Sequence, residues 1–105
     1  MLSKLVYGLT ATDKFSKDHG LKNQIRRSAV SIMSNIAEGF ERGGRSEFHQ
    51  FLVVAKASCA ELRSQLYVAL DVGHINAEQF NDAIALSEEV GRLVGGLRTS
   101  VGKQR

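Results

Sequence analysis

One segment, residues 24–39, constrains the fold of this chain more than any other part of its sequence. It reads QIRRSAVSIMSNIAEG. Wound as an α-helix, it separates an apolar arc over about half of the circumference from a polar stripe. The apolar positions in and beside it are Leu21, Ile25, Ala29, Val30, Ile32, Met33, Ile36, Ala37 and Phe40. Because one core-facing stripe needs a narrower arc, the segment predicts a helix with two packing surfaces.

Helical periodicity continues along the rest of the chain, and the absence of proline favours long uninterrupted helices. The predicted helices run from Leu2 to about Phe15, from about Leu21 to Arg42, from an N-cap at Ser46 to about Gly73, and from an N-cap at Asn76 to about Gly102. Gln79, three residues after Asn76, completes a variant of the capping box. Four helices with short connections predict an all-α fold, an antiparallel up-down-up-down four-helix bundle with a short first helix.

Two details of the third and fourth predicted helices bear on their packing. Val54, Val68 and Val72 form a second apolar strip on the third helix, beside its heptad seam. Gly91 and Gly95 lie four residues apart in the fourth helix, so we expect a neighbouring backbone to approach closely there. Like the second helix, the third therefore predicts contacts beyond one shared core, whereas the fourth is conventionally amphipathic.

Length and composition describe a folded protein of one domain, residues 1–105. The formal net charge of +3 favours an anionic partner only weakly. The single cysteine, Cys59, cannot form an intrachain disulfide and indicates a reducing compartment, so we expect a cytoplasmic protein. The longest apolar run, residues 51–55, is far too short to span a membrane, and no membrane partner is expected.

Basic and aromatic side chains provide the candidate nucleic-acid-binding residues. His49, Lys56, Arg63 and Tyr67 recur along one side of the third helix and combine positive charge with rings that can stack on bases. Arginine also binds phosphate in a bidentate manner. The full candidate set is Arg27, Arg42, Arg45, His49, Lys56, Arg63 and Tyr67. The alternative for the third helix is a solvated outer face of a bundle.

A second group of polar residues is predicted to form a structural polar network: Arg26, Asn35, Glu38 and Glu61. Arg26 lies among apolar positions, where an unpaired charge is costly. We therefore expect it to pair with Glu38 or Glu61, within or between subunits, with phosphate contact as the alternative. Arg27 is open to the same two interpretations.

No residue pattern supports catalysis, a metal site or a cofactor. The three histidines lack a partner at helical spacing, which disfavours a metal site in a bundle. Ser28, Ser31 and Ser34 lie within a helix and lack a histidine one turn away. Cys59 occupies a seam position typical of a small core residue. We therefore predict a protein that is not an enzyme.

Ordered motifs in three of the predicted helices resemble the 23S ribosomal RNA intervening sequence proteins, a family of small four-helix bundles. The matching motifs are Gly20-Leu21, residues 24–32, residues 34–39, Glu47-Phe48, residues 50–52 and residues 60–62. The resemblance covers about Leu5 to Leu97 and implies a four-helix bundle that assembles as a homopentamer without enzymatic activity. Family members usually carry a longer segment before the position of Leu5, so the resemblance implies that the first helix is truncated here. They also commonly carry a proline where Met33 stands. In architecture the chain is more distantly similar to the accessory variability protein of diversity-generating retroelements, a basic pentamer that binds nucleic acid and a reverse transcriptase.

These observations leave two hypotheses for function. The first is a non-enzymatic oligomeric bundle that binds RNA or another nucleic acid through basic residues repeated by symmetry. The second is a protein-interaction scaffold that recruits a protein partner such as a polymerase, without binding nucleic acid directly. The salt dependence of nucleic-acid affinity distinguishes the two.

Overall fold

The computed structural model describes residues 1–103 and confirms the all-α prediction. Its helices are α1 (Leu2–Thr10), α2 (Asp13–Ser16), α3 (His19–Glu41), α4 (Arg45–Asp71) and α5 (Ala77–Lys103). The predicted first helix is interrupted after Thr10, and its last part forms the single turn α2, which buries Phe15. With 9 residues, α1 is much shorter than α3, α4 and α5, which have 23, 27 and 27 residues.

Glycine and asparagine define the ends of the long helices. Gly43 follows α3 with a φ of 77°, which glycine adopts without steric cost. The N-cap of α4 is Gly44, so the prediction of Ser46 was wrong, and the helix begins one residue before it. Gly73 also lies outside α4, in a Schellman motif with a φ of 78° in which the amides of Gly73 and His74 donate to the carbonyls of Leu70 and Ala69.

The capping box predicted at the start of α5 is confirmed. The amide of Gln79 donates to Oδ1 of Asn76 over 2.8 Å, and the amide of Asn76 donates to Oε1 of Gln79 over 2.9 Å. Reciprocal bonds of this kind satisfy two amides that have no partner inside the helix. They fix where α5 begins after the turn from α4.

The long helices pack in chain order, with α4 between α3 and α5. Within the described residues α3 and α5 do not pack on each other, and the short α1 lies against both. The buried core includes Val6 of α1, Ile25 and Ile32 of α3, and Leu62 and Val94. The arrangement is an elongated four-helix bundle of 47 × 21 × 18 Å, as predicted.

Several large apolar side chains of α3 and α5 are exposed. A 9-residue helix is only about 14 Å long, whereas α5 extends over about 40 Å. On α3, Arg26 contacts α1, but Met33 and Phe40, seven and fourteen residues further on, are 60% and 70% exposed. Leu93 of α5 is 64% exposed. We use the name open groove for these three exposed apolar residues together with Leu97 of α5, which is 43% exposed.

Asp18 holds the start of α3 against the turn between α4 and α5. Its carboxylate accepts a hydrogen bond from the amide of Leu21 (3.1 Å) and lies 2.9 Å from Nε2 of His74. The His74 ring also stacks on Phe15 with a centroid distance of 4.9 Å. The hydrogen bond to His74, followed by the one from Leu21, lowers the pKa of Asp18 below its ordinary value of 3.8. One carboxylate therefore caps a helix and joins two distant parts of the chain.

Candidate functional site

The basic residues of α4 lie against a face of α5 that is rich in glycine. A methyl group on Gly95 would lie 3.2 Å from Nζ of Lys56, and one on Gly91 would lie 3.3 Å from Nη1 of Arg63. At the far end of the same contact, Gly102 faces the His49 ring. The two helices run antiparallel. Residue numbers therefore rise from His49 to Lys56 to Arg63 along α4 while they fall from Gly102 to Gly95 to Gly91 along α5. Because these glycines have no side chain, the cationic side chains of α4 have room to lie across α5.

This arrangement corrects one prediction about the glycines. Close approach of a neighbouring backbone was expected at Gly91 and Gly95. A Cβ on Gly91 would instead have the Arg63 guanidinium and Cβ of Cys59 as its nearest atoms, and a Cβ on Gly95 would have the Lys56 ammonium. Spacing alone indicates that something approaches a glycine face, but it does not show whether backbone or side chain does so.

Arg63 and Lys56 line a surface cavity of about 400 Å³ between α4 and α5. Its lining residues are Lys56, Arg63, Tyr67, Ile84, Glu88, Gly91 and Arg92. Three of these side chains are cationic and one is anionic, and no ion pair among residues 1–103 involves any of the four. We call this cavity the α4/α5 pocket. Its charge is suited to an anionic ligand.

Cys59 lies on α4 next to Gly91 of the pocket and is fully buried. Burial raises the pKa of the Cys59 thiol above its ordinary value of 9.0, and the positive charges of Arg63 and Lys56 oppose this rise. Both cations are thus close enough to Cys59 to influence its ionisation. A buried thiol with a raised pKa is mostly protonated near neutral pH, which agrees with a core position and not with a nucleophile.

Tyr67 supplies an aromatic surface at the same pocket. It is 57% exposed, and its ring packs edge-on against Phe80 with a centroid distance of 4.8 Å and an interplanar angle of 62°. The contact with Phe80 holds the ring in place while much of it remains accessible to solvent. Cations and an accessible ring therefore line one cavity.

The other predicted nucleic-acid-binding residues lie elsewhere. Arg42 forms ion pairs with Glu38 (3.1 Å) and Glu47 (3.7 Å), so its charge is already compensated. Arg45 begins α4 and lines a smaller cavity with Phe40 at the turn between α3 and α4. Arg27 is exposed beside a polar cleft between α3 and α4. The structure thus brings together His49, Lys56, Arg63 and Tyr67 and separates them from the other three.

The predicted polar network is also divided. Within the chain Arg26 pairs with neither Glu38 nor Glu61, since its Nε donates to Oγ1 of Thr10 over 2.7 Å and its guanidinium lies 4.3 Å from the centroid of the Tyr7 ring. A pair between subunits stays a prediction. Glu38 pairs with Arg42 instead. The physical reason is that Arg26 faces α1. The sequence of α3 alone does not show that α1 lies beside Arg26 and offers it Thr10 and Tyr7.

The two remaining members of the predicted network lie between α3 and α4. Nδ2 of Asn35 donates to the backbone carbonyl and to Oγ of Ser31, over 2.8 and 3.0 Å. The Ser31 hydroxyl in turn lies 2.9 Å from that of Ser58 on α4. Glu61 lines the neighbouring polar cleft with Arg27. These hydroxyl and amide contacts connect α3 to α4, whereas Arg26 connects α3 to α1.

Two lining residues of the α4/α5 pocket, Glu88 and Arg92, were not among the predicted site residues. In the sequence both residues lie opposite the apolar side of the last helix, and no motif marks them. Their proximity to Gly91 was a usable signal, because a residue next to a glycine notch borders whatever occupies that notch. The register between α4 and α5 was needed to place them opposite Arg63.

Residues 1–103 contain no group of three or more His, Cys, Asp or Glu side chains close enough together to hold a metal ion. None of the helices in this range combines the length and hydropathy needed to cross a membrane.

Comparison with known proteins places this fold in a family. A structure with a TM-score of 0.80 is that of a protein of unknown function from the S23 ribosomal protein family of Bacteroides thetaiotaomicron. It is 21% identical, and the alignment covers 93% of this chain and 98% of the other, which supports the shared fold. Comparison with curated proteins gives no match. The family model described as 23S rRNA-intervening sequence protein matches residues 1–96. The chain therefore belongs to the 23S rRNA-intervening sequence protein family.

Proposed function

We propose that this protein is a non-enzymatic, homo-oligomeric helical bundle that binds nucleic acid through the basic surface shared by α4 and α5. The observation that carries the proposal is the α4/α5 pocket, where Lys56, Arg63 and Arg92 have no ion-pair partner among the described residues. Phosphates supply compensating charge and release counterions when they are bound by such cations. The family description refers to 23S rRNA, which makes RNA the first nucleic acid to test.

An oligomer would strengthen this binding. A ring of identical subunits, a homopentamer in our proposal, presents the same cations several times around one axis, so a weak individual site becomes multivalent. The open groove supports association, because exposed apolar side chains such as Met33 and Phe40 are more stable when another surface covers them.

The test is fluorescence anisotropy with labelled RNA and DNA at several salt concentrations. We expect the logarithm of the affinity to fall linearly with the logarithm of the salt concentration. We expect the double variant Lys56→Ala/Arg63→Ala to bind about tenfold more weakly and with a shallower salt slope. Lys17→Ala is a control, since it also removes an exposed positive charge but lies at the C-cap of α2, away from the pocket.

A variant that is expected to increase the affinity for nucleic acid provides a second test. Glu88→Gln removes the one negative charge that lines the pocket and should increase affinity. Absence of binding to any nucleic acid at low salt, or equal effects of Lys17→Ala and Arg63→Ala, would contradict the proposal. Circular dichroism of each variant verifies that the helices are intact.

A protein-interaction scaffold is the second candidate, and the open groove favours it. Met33, Phe40 and Leu93 are large apolar side chains with more than half of their surface exposed. A scaffold that recruits a protein partner such as a polymerase would use apolar contacts, whose strength depends little on salt. Assembly without nucleic-acid binding at low salt would favour this candidate over the first.

A further inference from the structure

We infer that the α4/α5 pocket receives one unpaired nucleotide, so that the protein binds single-stranded nucleic acid in preference to the duplex. This inference rests on the proposed function and specifies its ligand. The pocket has a volume of about 400 Å³ and presents cations, a carboxylate and an accessible ring to the same space. Those three kinds of group correspond to the three recognisable parts of a nucleotide: phosphate, base edge and base face.

The cations account for the phosphate. Arg63 lies across Gly91, and Lys56 lies across Gly95 one turn further along α5, with their charged atoms 3.3 and 3.2 Å from where a Cβ would stand. With Arg92 they form the basic part of the pocket. These groups alone would bind any phosphate, including those on the outside of a duplex.

Tyr67 provides the reason for preferring a single strand. Its ring is 57% exposed and is supported edge-on by Phe80 at 4.8 Å. A base can stack on such a ring only when its face is free, and in a duplex the faces of internal bases are covered by their neighbours. Glu88 lines the same pocket and can accept a hydrogen bond from a base amino group, both hydrogens of which are free in an unpaired base, whereas pairing occupies one of them.

The first measurement compares one labelled RNA strand, without self-complementarity, with the same strand annealed to its complement. We expect the native protein to bind the single strand more tightly at equal salt. Tyr67→Ala should weaken single-strand binding about 5- to 100-fold, leave duplex binding unchanged and retain the salt slope, because no phosphate contact is lost. Tyr67→Phe keeps the ring and should bind as the native protein does.

A spectroscopic measurement reports stacking directly. The chain contains two tyrosines and no tryptophan, so the variant Tyr7→Phe leaves Tyr67 as its only strong fluorophore. Addition of the single strand should quench this fluorescence, and the duplex should not. The variant Tyr67→Phe, which retains Tyr7, is the control for absorption of light by the RNA.

The outcomes separate this inference from the proposed function. Binding that shows equal affinity for single strand and duplex, or no quenching of Tyr67, would overturn the single-strand inference while leaving nucleic-acid binding intact. Absence of binding to both probes at low salt would overturn both proposals. A loss of duplex and single-strand binding together in Tyr67→Ala would show that Tyr67 has only a structural role.

Discussion

At the scale of single residues, two glycines in long helices show how local packing determines the effect of one added methyl group. A Cβ on Gly39 would lie 2.6 Å from Cβ of Phe51 on α4. A Cβ on Gly96 would have no neighbouring atom within 4 Å. Alanine is the better helix former at both positions, so any difference between the two substitutions must come from their surroundings.

We therefore expect Gly39→Ala and Gly96→Ala to change stability in opposite directions. Gly96→Ala should stabilise the fold by about 0.5–1 kcal/mol through helix propensity. Gly39→Ala should destabilise it by up to about 2 kcal/mol, because overpacking against Phe51 outweighs the same gain. Urea unfolding followed by circular dichroism measures both values. A stabilising Gly39→Ala would show that α3 and α4 separate without cost.

Asp18 gives a pH dependence whose sign follows from its environment. Its pKa is lowered in the folded protein, so the folded state binds fewer protons than the unfolded state as the pH approaches 3.8. Its stabilising contribution is therefore complete above 3.8 and is lost as the pH falls through the lower pKa of the folded state. His74 and the amide of Leu21 are the partners that this carboxylate loses on protonation.

Asp18→Asn tests this contribution while keeping an oxygen that can cap α3. We expect the variant to be less stable than the native protein at neutral pH, and the difference to shrink progressively below 3.8. Asp13→Asn serves as the control, because Asp13 forms only an exposed pair with Lys17 at 3.8 Å. A stability difference that stays constant on acidification would mean that the charge of Asp18 makes no contribution.

At the scale of helices, α1 depends on Arg26 for its attachment to α3. The guanidinium donates a hydrogen bond to Thr10 and lies over the Tyr7 ring, so one side chain contacts two turns of α1. Neither interaction requires a carboxylate, which explains how Arg26 is accommodated among apolar neighbours. A helix of 9 residues is marginal by itself and needs such contacts.

Arg26→Ala should loosen α1 without unfolding the three long helices. We expect a loss of about 1–3 kcal/mol from the hydrogen bond and the cation–π contact. Amide hydrogen exchange should increase mainly in residues 2–10, while α4 retains its protection. Gln24→Ala is the control, since Gln24 lies on α3 but lines the cleft toward α4. Uniformly faster exchange in all helices would contradict a local role for Arg26.

At the scale of the whole molecule, the open groove predicts self-association. Its members Met33, Phe40 and Leu93 are 60%, 70% and 64% exposed. Light scattering of the purified protein should give a mass that is a multiple of 11.5 kDa, with a pentamer as our expectation. The double variant Met33→Lys/Leu93→Lys should reduce that mass while helix content stays unchanged.

A control variant distinguishes the groove from the rest of the surface. Val53→Lys adds a charge at an exposed apolar position of α4 that does not line the groove. We expect it to assemble as the native chain does. A native protein that remains monomeric at all concentrations would contradict the prediction and leave the groove for a different partner.

The sequence by itself determined the helices and most of their ends. Apolar spacing is a property of each segment, and the Asn76–Gln79 capping box acts between near neighbours, so both could be predicted locally. The same periodicity grouped His49, Lys56, Arg63 and Tyr67 on one side of α4. It failed at Ser46, because the glycine before α4 serves as the N-cap without a side chain.

Only the tertiary structure decided what each helix face meets. Periodicity fixes the direction of a side chain around its own helix axis but not the neighbour that lies in that direction. For this reason Arg26 contacts Thr10 and not a carboxylate, Arg42 is compensated by Glu38, and Glu88 joins Arg63 at one pocket. The pocket exists because antiparallel packing sets the cations of α4 opposite the glycines of α5, a register that neither helix encodes alone.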